Sequence, residues 1–352
     1  MKQLNIFFLH NKTASRLYRI LPQAKFLESR GHNVWVRDYR EEINQDILDW
    51  TDLAILQTVF VPKIFQLFKD AGAKTIFEVD DLMEWTSKYH PHHKDMTWKR
   101  VLMTWRAIHK ADLILTPSKY LMNRYGWLNR NVEWFPNLLD LSYWEKPFNP
   151  NISDTVRVGW AGSLSHIEDM NFIEPILAKV FSKYSAREIS FIHCGLGGVQ
   201  GENRLAKLTY GEDIFPNIPE DKKEYVLGSS SSMWASKLNS MQFDIGIAPV
   251  VKNTFSQSKS WCKYLEYGIN HYPGVYSKFL YQDVVKHGIT GFLAETAADW
   301  EQYLYLLIEN KALREKMGEA AYQDVRVNHN IKNHLDRYEK ICLNLTKDIK
   351  KL

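Results

Sequence analysis

The sequence predicts an α/β protein with two doubly wound, Rossmann-like domains whose parallel sheets face each other across a cleft. Short apolar strands alternate with helical patterns up to residue 135, and the same alternation begins again at residue 156. Between the two runs lies a stretch of little periodicity that contains Pro136, Pro147 and Pro150. With 352 residues, 45% of them hydrophobic, the chain is long enough for two separate cores.

Each domain is predicted to hold six strands. In the first domain they are residues 4–9, 33–38, 52–56, 74–79, 112–116 and 131–135. In the second domain they are residues 156–160, 189–193, 213–214, 244–247, 274–276 and 291–293. Helical patterns fill the gaps, as at 15–29 and 62–70, and the chain is helical from residue 299 onward. Ligands of such sheets bind outside the carboxyl ends of the strands, so functional residues are expected there.

The domain boundaries follow from the same pattern. We expect an N-terminal domain at 1–136, a linker at 137–153 and a C-terminal domain at 154–330. A final helix at 331–352 is expected to pack back on the N-terminal domain.

Residues 258–268, with the sequence SKSWCKYLEYG, are predicted to form one helix directly after a strand. Lys259, Lys263 and Glu266 are spaced i, i+4 and i+7, so they would share one helical face. A helix N-terminus that begins at Ser258 favours an anion, the lysines add positive charge, and the carboxylate can accept hydrogen bonds from a diol. This polarity suits a nucleotide-sugar diphosphate. A solvated amphipathic helix with scattered charges is the alternative.

The net charge of +4 comes from the first half of the chain. Residues 1–150 carry 21 Lys and Arg against 17 Asp and Glu, and the remainder carries 24 of each class. The excess is concentrated in residues 85–110, where six basic residues and one acid are interleaved with four histidines and with aromatic residues such as Trp98. A basic, aromatic surface suits a polyanion or a lipid headgroup. The alternative is a solvated helix whose tryptophans belong to the core.

Several classes of protein are disfavoured by composition. Apolar runs stay below the ~18 residues of a membrane span, and the start MKQLNIFFLH is unlike a signal peptide, so we expect a cytoplasmic protein. Three widely separated cysteines, Cys194, Cys262 and Cys342, argue against a disulfide framework. The loop HNKTAS after the first strand lacks the glycines of a nicotinamide dehydrogenase.

Several segments of the chain resemble those of one family of enzymes, most closely from residue 157 to residue 320. IAPVVKNTFSQSKSWCKYLEYG and the following PGVYSKFLYQDVVKHGITGFLAETAADW resemble the C-terminal domain of these enzymes. RVGWAGSLSHIEDM is similar to the first strand and glycine turn of that domain, and WFPNLLDLSYW to the interdomain signature. Tyr18-Arg19 and Gly31-His32 fit a subset of the group. These segments together resemble the retaining GT-B glycosyltransferases related to family 4. The resemblance implies the GT-B fold and retaining transfer of a sugar from a nucleotide diphosphate to a saccharide or a lipid-linked saccharide.

The resemblance also implies a donor site. Glu266 matches the second glutamate of a paired motif that holds the ribose hydroxyls. Ser258 stands where the first glutamate, which usually contacts the donor sugar, is expected. Lys259 and Lys263 would neutralise the diphosphate, and Ser258 would bond a sugar hydroxyl or a phosphate.

The turn after the first C-terminal strand departs from the family, which commonly has an arginine and a lysine there. The backbone amides of Gly162 and Ser163, at the head of a helix, are expected to bind phosphate instead, with His166 assisting. A capping or surface histidine is the alternative for His166.

The donor is expected to be of the UDP or GDP type, and metal is not expected to be required.

The N-terminal domain is expected to supply the acceptor side. Asp80 and Asp81 end a strand at its carboxyl edge, so either can orient the acceptor hydroxyl; with Lys259 and Lys263 they form the predicted catalytic set. His90, His92 and His93 near this pair suggest a metal site, but their spacing is not that of a helical ligand pair. The candidate acceptor-side residues are His10, Lys12, Arg19, His90 and Trp98.

Other functions remain open from the sequence. One is a phage-type DNA glycosyltransferase that acts on hydroxymethylated bases in the host cytoplasm, for which the basic, aromatic segment would contact phosphates and bases. A nucleotide-sugar epimerase or a non-catalytic binder can share the same architecture. An acceptor at a membrane surface would make the protein peripheral to the membrane. No obligate protein partner is inferred.

Overall fold

The computed structural model describes residues 2–11, 15–86, 93, 96–199 and 214–349. These residues form two six-stranded sheets, one from each half of the chain. Neighbouring strands in both sheets run parallel. The predicted α/β class with two doubly wound parallel sheets is therefore confirmed.

The strands of both sheets are short, and most are buried. The first sheet consists of β1 (Asn5–His10), β2 (Asn33–Asp38), β3 (Leu53–Gln57), β4 (Lys74–Glu78), β5 (Leu113–Thr116) and β6 (Val132–Trp134). The second consists of β7 (Val156–Ala161), β8 (Ile189–Val199), β9 (Lys223–Gly228), β10 (Ile245–Ala248), β11 (Gly274–Ser277) and β12 (Phe292–Ala294).

The strand order of each sheet reverses once. The first sheet has the order β2-β1-β3-β4-β5-β6, and the second has the order β12-β11-β10-β7-β8-β9. A crevice therefore opens outside the carboxyl ends of β1 and β3 in the first sheet, and of β7 and β10 in the second.

Helices connect the strands and continue to the end of the described chain. They are α1 (Arg16–Arg19), α2 (Leu21–Ser29), α3 (Gln45–Trp50), α4 (Pro62–Asp70), α5 (Trp98–Lys110), α6 (Lys119–Tyr125), α7 (Leu141–Trp144), α8 (Ile167–Phe181), α9 (Trp234–Ser240), α10 (Cys262–Gly268), α11 (Lys278–Tyr281), α12 (Ala297–Glu309), α13 (Lys311–Asn328) and α14 (Leu335–Leu345). Single 3₁₀ turns occur at Met83–Trp85, Leu164–His166, Glu220–Lys222, Ser256–Ser258 and Ile331–Asn333. None of the helices in the described part of the chain is long and apolar enough to cross a bilayer.

Both faces of the first sheet are buried under helices. Successive side chains of a strand point to opposite faces, so Phe7 packs in one apolar cluster and Phe8 in another. The cluster around Phe8 includes Leu335 and Tyr338 of α14. The last helix of the chain therefore packs on the N-terminal sheet.

One predicted strand is misplaced. Asp213 lies outside the described residues and Ile214 is in a bend, whereas the third strand of the second domain is β9. The adjacent Phe215 is fully buried and its ring contacts that of Phe191 in β8, so Phe215 belongs to the core although it lies outside the sheet. β9 is an edge strand with mostly half-exposed side chains, which hides its apolar pattern.

The helix predicted at 15–29 is interrupted. Ile20 has φ −120° and ψ −61°, which ends α1 and places Pro22 in the first turn of α2. The predicted single helix is therefore two consecutive short helices, α1 and α2.

Candidate functional site

A cavity of about 820 Å³ lies between the carboxyl ends of the two sheets. Its N-terminal wall is formed by residues 15–18 after β1 and by Asp80 and Asp81 after β4. Its C-terminal wall is formed by the turn after β7, by residues 228–231 after β9 and by α10. The cavity thus occupies the crevices that the two strand orders predict.

Eight of the residues predicted from sequence line this cavity. They are Asp80, Asp81, Gly162, Ser163, His166, Lys259, Lys263 and Glu266. Four others, His10, Arg19, Trp98 and Ser258, are not part of its lining. Lys12 and His90 lie outside the described residues.

The helix predicted at 258–268 is shorter than expected. Residues before Lys259 form a 3₁₀ turn, Lys259 itself is extended with φ −63° and ψ 155°, and α10 begins at Cys262. The prediction that Lys259 shares a helical face with Lys263 and Glu266 is therefore wrong. Serine hydroxyls in the turn compete for backbone carbonyls, as where Ser256 Oγ donates to Val251 O at 2.6 Å.

Glu266 is buried at the cavity wall and held by two donors. Tyr18 Oη donates to its Oε1 at 2.6 Å, and Trp234 Nε1 donates to the same oxygen at 2.9 Å. No donor in the described chain bonds Oε2. This oxygen can therefore accept a hydrogen bond from a ligand hydroxyl.

Lys263 is a buried cation one helical turn before Glu266. Its Nζ donates to the carbonyl of Ala161 and lies 5.0 Å from the centroid of the Trp160 ring. Burial lowers the pKa of Lys263, the Glu266 carboxylate opposes that shift, and the positive charge of Lys259 reinforces it. A bound anion would stabilise the charged form of this amine.

Gly162 and Gly195 bring two strand ends together at the floor of the cavity. A Cβ on Gly162 would come within 2.9 Å of Lys263 Nζ, and Gly195, at φ +91°, would place a Cβ 2.3 Å from Gly162 O. The Gly162 N–H donates to Cys194 O at 3.0 Å, so it is not available for a phosphate, contrary to the prediction. The Ser163 N–H donates no hydrogen bond within the described residues.

His166 precedes α8 and forms a chain of contacts with two charged residues. Its Nδ1 lies 2.7 Å from Asp169 Oδ2, and its Nε2 lies 3.4 Å from Lys259 Nζ. Burial, reinforced by the Lys259 charge, lowers the pKa of His166 to about 3, although the bond to Asp169 opposes the shift. A neutral ring that donates from Nδ1 to Asp169 presents Nε2 as an acceptor toward Lys259.

Asp80 and Asp81 face the cavity from the N-terminal half with different surroundings. Gln57 Nε2 donates to Asp80 Oδ2 at 3.0 Å, and Arg19 Nε lies 3.4 Å from Asp80 Oδ1. Burial raises the pKa of Asp80 to about 6, against the lowering effect of Arg19. Burial also raises the pKa of Asp81, which the charge of Lys259 partly offsets.

Arg19 is a buried structural cation and not an acceptor-facing residue. It is 1% exposed, pairs with Glu78 Oε2 and donates to Phe135 O at 2.8 Å and to Asn137 Oδ1 at 3.1 Å. Tyr338 Oη of the last helix donates to the other oxygen of Glu78 at 3.2 Å. The predicted acceptor-side role of Arg19 does not agree with this position.

Ser258 is fully buried outside the cavity lining. Its Oγ donates to Phe255 O at 2.6 Å and accepts from Leu82 N at 3.1 Å. The predicted contact with a sugar hydroxyl or a phosphate is therefore contradicted, because the side chain faces the N-terminal half of the chain.

The remaining acceptor-side predictions fall at two places. His10 is buried at the end of β1, with Nδ1 3.0 Å from Asn11 O. Trp98 is 77% exposed at the start of α5, beyond the cavity lining.

Among the described residues no group of three or more His, Cys, Asp and Glu side chains is arranged to hold a metal ion.

Several lining residues were not predicted. Tyr18, Arg16 and Trp234 line the cavity, as do serines 229–231, and Arg16 Nη2 donates to Ser231 Oγ at 2.6 Å. The serine run follows directly from β9, so correct placement of that edge strand would have indicated it. Tyr18 belongs to a motif noted in the sequence, but local spacing does not indicate its hydrogen bond to Glu266 in the other half of the chain.

Solved structures of similar architecture were found over nearly the whole chain. Sucrose-phosphate synthase from Thermosynechococcus elongatus aligns with a TM-score of 0.70 at 10% identity and covers 99% of this chain and 100% of its own. HepE of Anabaena in complex with UDP and glucose aligns with a TM-score of 0.66 at 12% identity, covering 97% of this chain and 100% of its own. A glycosyltransferase from Rickettsia africae aligns with a TM-score of 0.66 at 13% identity, covering 99% and 100%.

No protein-family model and no curated protein matches this chain by sequence. The structural alignments and the two facing parallel sheets show that the chain has the GT-B fold.

Proposed function

We propose that this protein is a glycosyltransferase that transfers a sugar from a nucleotide diphosphate to an acceptor hydroxyl, with retention at the anomeric carbon. The observation that carries the proposal is the composition of the interdomain cavity. Lys259, Lys263 and Glu266 line one wall, and the carboxylates of Asp80 and Asp81 line the other. This arrangement offers separate places for a diphosphate, a diol and a reacting hydroxyl.

The donor is proposed to lie along the C-terminal wall. Lys259 and Lys263 neutralise the diphosphate, and the free oxygen of Glu266 accepts hydrogen bonds from the ribose. The Ser163 amide lies on the turn where a phosphate would approach. UDP is the first nucleotide to test, because HepE, which shares the fold, was solved in complex with UDP.

The chemistry follows from these positions. The two lysines stabilise the negative charge that develops on the leaving diphosphate, and this electrostatic stabilisation contributes most to the rate of such a reaction. Asp81, or Asp80, orients the acceptor hydroxyl toward the anomeric carbon. For retention, the leaving phosphate takes the proton of the acceptor hydroxyl on the same face of the sugar, so no carboxylate nucleophile is needed. Loss of one lysine would raise the barrier by about 3 kcal/mol.

The acceptor is proposed to be a saccharide or a lipid-linked saccharide, with the protein at a membrane surface. Exposed tryptophans Trp85, Trp98 and Trp127 on the N-terminal half support this proposal, since tryptophan favours the membrane interface. DNA with hydroxymethylated bases is the second candidate acceptor, because the same aromatic and basic side chains suit stacking and phosphate contact.

Nucleotide binding is the decisive test. Thermal-shift measurements with UDP, GDP and their sugar conjugates should show stabilisation by one nucleotide, and Glu266→Ala should abolish it. Incubation of the preferred donor with and without acceptors then separates the activities. Transfer requires an acceptor, an epimerase converts the donor alone, and a non-catalytic binder does neither. The proposal fails if no nucleotide diphosphate binds.

A further inference from the structure

Ser258 lies where the two halves of the chain meet beside the cavity. In addition to the two hydrogen bonds of its hydroxyl, its carbonyl accepts from Ser118 Oγ at 2.8 Å and its N–H donates to Phe255 O at 3.0 Å. The residue is fully buried, and each of its polar groups is engaged. Two of the partners, Leu82 and Ser118, belong to the N-terminal half.

The bond between Ser258 and Leu82 joins the backbones that carry two opposed functional groups. Leu82 follows Asp81 directly, and Ser258 directly precedes Lys259. Because consecutive Cα atoms are about 3.8 Å apart, this hydrogen bond holds the backbones that carry the carboxylate and the ammonium close together beside the cavity. Asp81 and Lys259 both line that cavity.

The side chain of Asp81 depends on this backbone for its position. No described residue donates a hydrogen bond to its carboxylate, in contrast to Asp80, which Gln57 holds. The backbone on the other side of Lys259 is held as well, because Asn137 Nδ2 donates to Ser260 Oγ at 2.8 Å. The extended Lys259 is thus held between two residues that are hydrogen-bonded to the N-terminal half.

We propose that Ser258 is a positioning residue that couples closure of the cleft to the placement of Asp81 opposite Lys259. This inference rests on the proposed function, because it assigns to Ser258 an effect on transfer that acts through Asp81. Ser258 itself contacts neither donor nor acceptor. Cleft closure and assembly of the reacting groups are one event, since opening of the two halves breaks the hydrogen bond that places the carboxylate.

The first experiment measures the hydrogen bond without reference to activity. Amide hydrogen exchange is followed in the full chain, with and without UDP, for wild type, Ser258→Ala and the control Ser256→Ala. Ser256 lies in the same 3₁₀ turn and is 3% exposed, but within the described part of the chain its hydroxyl bonds only Val251 and Asn253. We expect the peptide containing the Leu82 amide to exchange about tenfold faster in Ser258→Ala, and at the wild-type rate in Ser256→Ala. Equal exchange in wild type and Ser258→Ala would overturn the inference.

The second experiment measures whether Ser258 acts through Asp81. UDP affinity is measured by calorimetry, and turnover of UDP-glucose by release of UDP, for Ser258→Ala, Asp81→Asn and the double variant. We expect Ser258→Ala to keep UDP affinity within twofold of wild type and to lower kcat at least tenfold. In the Asp81→Asn background the same change should lower kcat less than twofold further. Losses that multiply, or a loss of UDP affinity as large as the loss of kcat, would refute the positioning role.

Two further outcomes are distinguishable. If the wild type binds neither UDP nor GDP, the proposed function fails, while the exchange experiment still decides whether Ser258 joins the two halves. If Ser258→Ala does not fold, Ser118→Ala removes the other bond across the junction and should lower kcat in the same direction with UDP affinity retained. Wild-type kcat in Ser118→Ala would then count against the inference.

Discussion

Glu266 combines an oxygen held by two donors with one that no donor in the described chain bonds, so its carboxylate can accept a hydrogen bond from a ligand hydroxyl. Tyr18 and Trp234 hold Oε1 and so orient the carboxylate before a ligand arrives. Pre-orientation of this kind lowers the entropic cost of binding. The residue is therefore expected to contribute more to nucleotide affinity than an exposed glutamate could.

The first prediction concerns the charge of Glu266. Glu266→Gln keeps a carbonyl oxygen for Tyr18 and Trp234 but loses the charge that strengthens a hydrogen bond to a hydroxyl. We expect UDP affinity to fall between about tenfold and a hundredfold, since bonds to charged groups contribute about 1.5–3 kcal/mol. Calorimetric titration with UDP measures the effect. Glu295→Gln, on an exposed side chain paired with Lys278, is the control and should bind UDP like wild type.

The second prediction concerns pH and His166. The pKa of this histidine is lowered from 6.5 to about 3, by burial first and by Lys259 second, so the folded protein binds fewer protons than the unfolded chain between these values. Its contribution to the free energy of unfolding is complete above pH 6.5 and is lost as the pH falls toward 3, at about 1.4 kcal/mol per pH unit.

Denaturation of wild type and His166→Gln at several pH values tests this contribution. The stability of the wild type should fall more steeply than that of His166→Gln between pH 6.5 and 4.5. His109→Gln, at an exposed position of α5, should keep the wild-type slope. Parallel curves for wild type and His166→Gln would show that the histidine is not held neutral.

At the scale of elements, the pairing of Arg19 and Glu78 joins four parts of the chain: α1, β4, the segment after β6 and α14. Arg19 is 1% exposed and Glu78 is fully buried. Removal of one partner leaves the other charge buried and unpaired. This network attaches the last helix to the sheet that carries Asp80 and Asp81.

The third prediction follows from that burial. Arg19→Met should lower the free energy of unfolding by about 3–5 kcal/mol, whereas Arg19→Met combined with Glu78→Leu should lower it less, because no charge is left unpaired. Urea denaturation measures both. Arg30→Met removes an arginine that also pairs with α14 but is 39% exposed, and it should cost at most about 1 kcal/mol. A double variant less stable than Arg19→Met would contradict this account.

The tryptophans of α5 and its neighbours form a surface that does not belong to the cavity. Trp98 is 77% exposed and Trp127 is 62% exposed. The ring of Trp127 packs edge-on against that of Trp105, with 5.5 Å between the ring centroids. Trp98, Leu102 and Trp105 follow one face of the helix, with Leu102 46% exposed. Basic side chains of the same helix, including Lys99 and Arg106, are exposed beside them.

The fourth prediction is that this surface binds anionic lipid. Trp98→Ala should reduce flotation with vesicles that contain an anionic phospholipid by at least threefold, because the indole ring favours the membrane interface. Trp35→Ala, at an exposed tryptophan of the edge strand β2, is the matched control and should float like wild type. Salt-sensitive binding of duplex DNA that is lost in Trp98→Ala, without vesicle binding, would favour the DNA acceptor instead.

Sequence patterns were sufficient where local spacing or strand position determines the structure, and insufficient where distant residues do. The positions of Glu266 and Lys263 on the cavity wall could be predicted because the two residues lie one turn apart on a helix. The position of Asp81 could be predicted because it follows a buried strand. The extended backbone at Lys259 could not be predicted, because it depends on hydrogen bonds that join the 3₁₀ turn and its neighbours to the N-terminal half. β9 was missed because an edge strand lacks a continuous apolar pattern.

At the scale of the whole molecule, the two halves are joined around the cavity by hydrogen bonds on both of its sides. On one side Tyr18 reaches Glu266 and Arg16 reaches Ser231; on the other side Leu82 contacts Ser258. The last helix packs on the N-terminal sheet after the chain has completed the C-terminal one. Closure of the cleft would therefore change the surroundings of the groups on both cavity walls together.

The fifth prediction tests this coupling at Tyr18. Its hydroxyl donates across the cleft to the carboxylate proposed to bind ribose, and its pKa is raised well above the usual range by burial first and by Glu266 second, so it remains a donor. Tyr18→Phe removes a bond that both orients Glu266 and holds the halves together. UDP affinity should fall about fivefold, which corresponds to a hydrogen bond of about 1 kcal/mol. Small-angle scattering of Tyr18→Phe should show a larger radius of gyration than that of the wild type without UDP, and a larger decrease of that radius when UDP is added.

The control for Tyr18→Phe is Tyr322→Phe. It removes a hydroxyl that donates to Glu145 at 2.6 Å, and neither residue lines the cavity. Identical UDP affinity and scattering in the two variants would show that Tyr18 does not couple nucleotide binding to closure of the cleft.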